Sequence, residues 1–108
     1  MNTRTGVVAL FAPTVESLQV DVYASADPTG TAPGFLLTAE GTMATTGSSF
    51  TSGTWVGTYG SDGWTTARTP TIGSAGSLTV SAGRYWLWAS VVAGSETAKW
   101  IVGTLVVS

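Results

Sequence analysis

The residues that could do chemistry in this chain are few. Serine and threonine hydroxyls are plentiful, but a hydroxyl nucleophile needs a base beside it. The 108 residues include no histidine and no cysteine, and Lys99 is the only lysine. Nothing around Lys99 resembles a Ser–Lys arrangement, so it reads as a solvated strand charge. Six carboxylates, Glu16, Asp21, Asp27, Glu40, Asp62 and Glu96, are the candidates for a glycosidase-type acid–base pair. Turns account for Asp27 and Asp62, and Asp21 and Glu40 read as outward strand residues. No Asp-rich loop suits calcium, and no thiolate set suits zinc. No glycine-rich loop lies between a strand and a helix, as a phosphate site requires. The expectation is a non-enzymatic chain with no catalytic residues, no metal site and no cofactor.

What remains is aromatic. The stretch Arg84-Tyr85-Trp86-Leu87-Trp88-Ala89-Ser90-Val91-Val92, read with period 2, carries Tyr85, Leu87, Ala89 and Val91 on one face. The other face carries Arg84, Trp86, Trp88 and Ser90. One face fills the single core of a small domain, so the two tryptophans need another explanation. In the last strand Leu105 and Val107 share the core parity. Trp100 has the opposite parity and joins Trp86 and Trp88 if no bulge intervenes. Gly103 permits a bulge that reverses this. Trp and Arg are enriched where protein surfaces meet, so Trp86, Trp88, Trp100 and Arg84 are the candidate partner interface. Two other readings stay open. The rings could stack on sugar, or the loop 41–52 could fold over them with Phe50 as its lid.

The elements that position these residues read as strands. Helical periodicity is weak, β-branched residues and glycines are spread throughout, and short apolar runs are regularly punctuated. Strands are expected near 6–12, 17–25, 34–40, 53–59, 64–69, 76–81, 84–93 and 97–107. Residues 6–12 sit at the short limit of a signal-peptide apolar region and are read as the first strand. Asp27-Pro28-Thr29-Gly30 has the residues of a type I turn. Gly60-Ser61-Asp62-Gly63 and Gly94-Ser95 suit hairpins. Residues 41–52 form a low-complexity loop, flexible or ordered by a partner. Residues 1–5 form an extended N-terminal arm.

In Leu78-Thr79-Val80-Ser81-Ala82-Gly83-Arg84-Tyr85 a strand ends at a glycine turn and a Tyr opens the next. This is the pattern of the tyrosine corner of immunoglobulin-like sandwiches. The fold expected over 1–108 is one all-β, immunoglobulin-like antiparallel sandwich. Its core would be Val20, Val22, Leu37, Leu78, Val80, Tyr85, Leu87, Val91, Leu105 and Val107. The formal net charge is -2, with four basic residues scattered along the chain. No phosphate-tracking stripe exists, so nucleic acid is not an expected partner. No apolar run approaches a membrane span. Ten charges on 108 residues suit a surface covered by a partner. They also suit a β-protein kept soluble by Ser and Thr hydroxyls.

Three segments, "DPTGTAPGFLLT", "SGTWVGTY" and "GSLTVSAGRYWLWASVVAGSETAKWIVGTLVVS", resemble small virion proteins of tailed phages of actinobacteria. The matching positions are Asp27-Pro28-Thr29-Gly30, Gly53 and Trp55, and Gly83, Tyr85, Trp88, Glu96, Gly103 and Leu105, over roughly residues 18–108. Ala89-Ser90 departs from the bulky and basic outer residues of that pattern. The resemblance implies an immunoglobulin-like particle component, with capsid, head–tail neck and tail all open; the location expected is the virion capsid surface, after synthesis in the host cytoplasm. The expected role is a capsid accessory or decoration protein. Its partners would be the major capsid protein or another virion protein, with homo-oligomers possible on the particle. A carbohydrate-binding or adhesive module, and a head–tail or tail component, are the alternatives.

Overall fold

A computed structural model describes residues 16–45, 48–73 and 76–107, with the backbone of 2–3 and 7–10. Among these residues every regular element is a strand. The strands are β1 (Asn2–Thr3), β2 (Val7–Leu10), β3 (Gln19–Tyr23), β4 (Gly34–Ala39), β5 (Thr51–Ser52) and β6 (Thr54–Val56). They continue with β7 (Trp64–Arg68), β8 (Ile72–Gly73), β9 (Leu78–Thr79), β10 (Gly83–Ala93) and β11 (Glu96–Val107).

Two main sheets form. One has the order β1-β3-β7-β6, the other β2-β11-β10-β4-β5, and β8 and β9 make a small third sheet. Pairing in the main sheets is antiparallel except for β2, which runs parallel to β11. The N-terminal segment therefore contributes to both sheets, a feature the expected wholly antiparallel sandwich did not include. Asn2 and Thr3 of the expected N-terminal arm pair with Tyr23 and Val22 of β3. Met1, Arg4 and Thr5 lie outside the described residues, as do residues 6, 11 and 12 of the expected first strand.

The strands form where alternation meets a turn that can close. Between β10 and β11 the hairpin is two residues long, with Ala93 opposite Glu96. Gly94 takes φ +63° and, among the described residues, no non-glycine residue has positive φ, which is the pattern of a II′ turn. The Gly60–Gly63 turn closes with Gly60 N–H donating to Trp64 C=O at 2.9 Å and Gly63 N–H to Gly60 C=O at 3.0 Å. At Asp27 the turn is held by the side chain: its Oδ1 accepts from Thr29 N–H at 2.9 Å and from Thr29 Oγ1 at 2.6 Å. These bonds to the ionised form hold the Asp27 carboxyl below the usual carboxylate range, the Thr29 hydroxyl contributing most.

The two main sheets pack face to face. Val20, Val22 and Ala67 of one sheet share a buried cluster with Phe35, Leu87, Ala89, Val91 and Val102 of the other. A second cluster gathers Ile72, Val80, Leu105 and Val107, with Tyr85 and Leu78 packed against it. The expected core face of β10 is thus the core face found. Leu37, Leu78 and Tyr85 of the expected core are half-buried rather than buried. Burying Leu87 and its neighbours is worth roughly 1.5–3 kcal/mol per large apolar side chain.

Tyr85 behaves as a corner residue. Its ring packs on the second cluster and its hydroxyl donates to Ser81 C=O at 2.9 Å, within the 79–83 backbone expected from the sequence. The expected 41–52 loop is not loop throughout: Thr51 and Ser52 pair with Phe35 and Gly34 as β5.

Candidate functional site

The outer face of the five-stranded sheet is laid out in cross-strand rows. Trp86 stands between Thr38 of β4 and Thr104 of β11. Trp88, two residues on, stands between Leu36 and Ile101. Ser90 stands between Gly34 and Lys99. The sequence pattern of β10 picked out the two tryptophans but not their flanking partners. Leu36, Thr38 and Ile101 become visible only once the strand order is known.

Trp88 is only 6 % exposed although it faces away from the core. Its indole N–H donates to Thr38 Oγ1 at 2.9 Å. Trp86 meets it edge-on, with ring centroids 6.5 Å apart and planes at 65°. This geometry exploits the positive ring edge against the negative ring face. A buried indole with its donor satisfied within the chain is largely structural, so Trp88 offers little surface to a partner. Trp86 is half-buried and Arg84 exposed, and these two keep contact area.

Trp100 does not join them. The β10–β11 register shifts between Leu87 and Trp88, so that Gly103 opposes Leu87 while Ile101 opposes Trp88. Val102 is the extra residue, and it turns inward into the main core cluster. An odd residue on one strand of a pair reverses every side chain beyond it. Trp100 consequently opposes Ala89 and packs against the core from within. The expected three-tryptophan face is corrected to two, and Ile101 takes the place reserved for Trp100.

Phe50 reaches the far end of the same face. A β-carbon on Gly34 would stand 3.0 Å from that of Phe50 and 3.5 Å from that of Ser90. Lys99 Nζ lies 5.2 Å from the Phe50 ring centroid, within reach of a cation–π contact. Phe50, the expected lid, stands by Gly34 in the Ser90 row, one row from Trp88. At the opposite end Arg84 Nε donates to both oxygens of Glu40, at 3.2 and 3.1 Å. Both side chains are well exposed, so the pair contributes at most about 1 kcal/mol.

Two of the candidate carboxylates, Asp21 and Asp62, line one groove beside Trp64 on the four-stranded sheet. Asp21 accepts from Thr66 Oγ1 at 3.2 Å and Asp62 from Trp64 N–H at 3.2 Å. Asp27 and Glu40 have the local partners already described. Among the described residues no group of three or more His, Cys, Asp or Glu side chains could hold a metal ion. No helix there is long and apolar enough to cross a membrane. No protein family, curated protein or solved structure matches the chain.

Proposed function

We propose that this chain is a non-enzymatic structural protein of a phage particle, built as an immunoglobulin-like module and attached to the capsid shell. The strand order supports the fold reading. β1, β3, β7 and β6 correspond to the A, B, E and D strands of such a sandwich. β4, β10 and β11, with β5 beside β4, correspond to C, F, G and C′. Tyr85 near the start of β10, bonded four residues upstream, supports the same reading, since the corner tyrosine of such sandwiches lies near the start of strand F.

The observation that carries the partner reading is the outer face of the five-stranded sheet. Trp86 and Val92 of β10, Ile101 and Val106 of β11 and Leu36 of β4 are each only partly covered. A domain whose core already lies between its sheets has no need of these apolar side chains there. Arg84 borders the row. A patch of aromatic and aliphatic groups rimmed by one arginine is the composition of an interface centre. The partner is the major capsid protein or another virion protein, and the protein resides on the virion. Quantifying the chain in purified virions tests this. Hundreds of copies fit a shell position and about a dozen a neck or tail ring, since ring and shell symmetry set the number. A virion without the chain overturns the proposal.

A further inference from the structure

The outer edge of β4 is only partly paired. β4 runs from Gly34 to Ala39, but β5 meets it only at Gly34 and Phe35. In an antiparallel ladder the backbone groups of successive residues point alternately to the two neighbouring strands. Glu40 N–H donates to Arg84 C=O at 3.1 Å, so Leu36, Thr38 and Glu40 direct their backbone groups to β10. Gly53 N–H donates to Pro33 C=O at 2.8 Å on the other side, so Phe35, Leu37 and Ala39 direct theirs outward. Phe35 meets Thr51, the first residue of β5. Ahead of it Ser48 N–H donates to Thr45 C=O at 3.1 Å rather than to β4. Among the described residues, the N–H and C=O of Leu37 and the N–H of Ala39 have no backbone partner. Burial follows the same boundary. Phe35, beside β5, is 1 % exposed, whereas Leu37 on the same parity is half-buried and Ala39 exposed.

An open sheet edge is a template for another strand, because an extended backbone satisfies its alternate N–H and C=O groups. The boundaries of this edge say which strand fits. β5 closes it at Phe35. A turn closes it past Ala39: Thr42 N–H donates to Ala39 C=O at 2.9 Å and Gly41 takes φ +91°. A two-fold axis at Thr38 lays the same edge of a second copy antiparallel on the first. Leu37 then opposes the partner's Ala39, and Ala39 the partner's Leu37, each pair exchanging N–H···O bonds both ways. Ala39 C=O has a second lone pair for this beside the bond from Thr42. The turn at Gly41 leads the chain out of the sheet before it reaches the partner's Phe35, where β5 already lies. Glu40 falls opposite the partner's Leu36, so no like charges face each other.

We infer that a second copy of this chain docks on the β4 edge at Leu37–Ala39, joining the two five-stranded sheets into one across a two-fold axis at Thr38. Residues directly opposite in antiparallel strands lie on the same face, so the outer faces of both copies look to one side. The row Thr104–Trp86–Thr38 is continued by the same row of the partner in reverse order. A contact along one short edge falls below the roughly 1,200 Å² of a standard stable interface. The pairing is therefore weak in free solution. It strengthens where copies are held side by side, since tethering raises their effective concentration. The inference stands on the edge alone and does not depend on the capsid reading.

The test is an NMR concentration series on the free chain, from about 20 μM to about 2 mM, chosen for a contact below standard size. Amide exchange at Leu37 and Ala39 should slow by about threefold or more across the series. The amides of Leu36 and Thr38, already bonded to β10, should stay unchanged. In a mixture of isotope-labelled and unlabelled chains, a filtered contact between the Thr38 α-protons of two copies should appear, since opposed Cα atoms of such a pair stand about 4.5 Å apart. Ala39→Pro removes an edge donor and leaves the ladder to β10 intact, a placement that edge strands tolerate; it should abolish the Thr38 contact and the slowing at Leu37. Ala39→Lys, a charged residue of the kind that blocks natural edges, probes the same edge without altering the backbone and should weaken both signals. The inference is overturned if Leu37 and Ala39 exchange at one rate throughout the series, or if the Thr38 contact is absent at the highest concentration. It is overturned equally if both Ala39 variants associate like the parent chain, or if association moves the Trp86 and Trp88 indole signals and leaves the β4 edge amides unchanged.

Discussion

Replacing Trp88 by alanine separates a ring buried by its own chain from one reserved for a partner. Trp88 is 6 % exposed, so truncation removes a nearly closed indole from between Leu36 and Ile101. It also leaves Thr38 Oγ1 without its donor and Trp86 without its edge contact. Trp→Ala at a buried site costs about 3–5 kcal/mol. Stability of a domain this size is about 5–15 kcal/mol in total, so a large share would go. With about 4–8 °C of midpoint shift per kcal/mol, the isolated chain should melt at least ~12 °C lower. Trp86→Ala should cost less, because its ring is already partly in water. The assay is thermal and urea unfolding of the free chain, with no particle present. If Trp88→Ala melts within about 2 °C of the parent chain, or costs less than Trp86→Ala, the ring is not held as described.

Tyr85→Phe should lose about 0.5–1.5 kcal/mol in urea unfolding, the worth of its bond to Ser81; an unchanged midpoint would remove the corner argument. Gly53→Ala should destabilise by about 1–3 kcal/mol, because an added β-carbon would meet Arg68 C=O at 2.2 Å and the Phe35 ring at 2.7 Å. Thr65→Val should raise the unfolding midpoint, by about 1 kcal/mol in stability, since Thr65 Oγ1 is buried without a hydrogen-bond partner among the described residues. The folded-state pKa of Asp27 is lowered, so its stabilisation is present above the unfolded value and lost as pH falls through the folded one. Melting between about pH 6 and pH 2 should therefore show a shallower acid limb for Asp27→Asn than for the parent chain. Attachment through an apolar face should leave particle occupancy unchanged up to about 1 M NaCl, where the Debye length is near 3 Å; release by salt would contradict it.

The parity of β10 was legible because Tyr85, Leu87, Ala89 and Val91 alternate without interruption and a turn fixes their start. The side on which Trp100 lands was not. It depends on where one extra residue sits along β11, and Gly103 marks the neighbourhood but not the position, which is Val102. Ile72 was also hidden. It lies in the turn-rich run Arg68-Thr69-Pro70-Thr71-Ile72-Gly73, with no alternation to mark it. Its complete burial follows from pairing with Leu78 and bridging to Glu16. Phe35 is buried on a strand whose apolar residues run Phe35-Leu36-Leu37, so composition alone does not say which parity faces inward. The burial of Trp88 required knowing that Leu36 and Ile101 would flank it, which is a property of strand order. The groove beside Trp64 escaped notice for the same reason: Asp21 and Thr66 are 45 positions apart in sequence and meet only across the β3–β7 ladder.

The central claim is that the outer face of the five-stranded sheet is where this chain meets another virion protein. A reconstruction of the intact particle at side-chain resolution tests it most directly. The account predicts the chain on the capsid shell, with Trp86 and Arg84 against a second protein and the groove at Trp64 turned toward solvent. Finding the Trp86 face in open solvent while another surface holds the chain to the particle would contradict it.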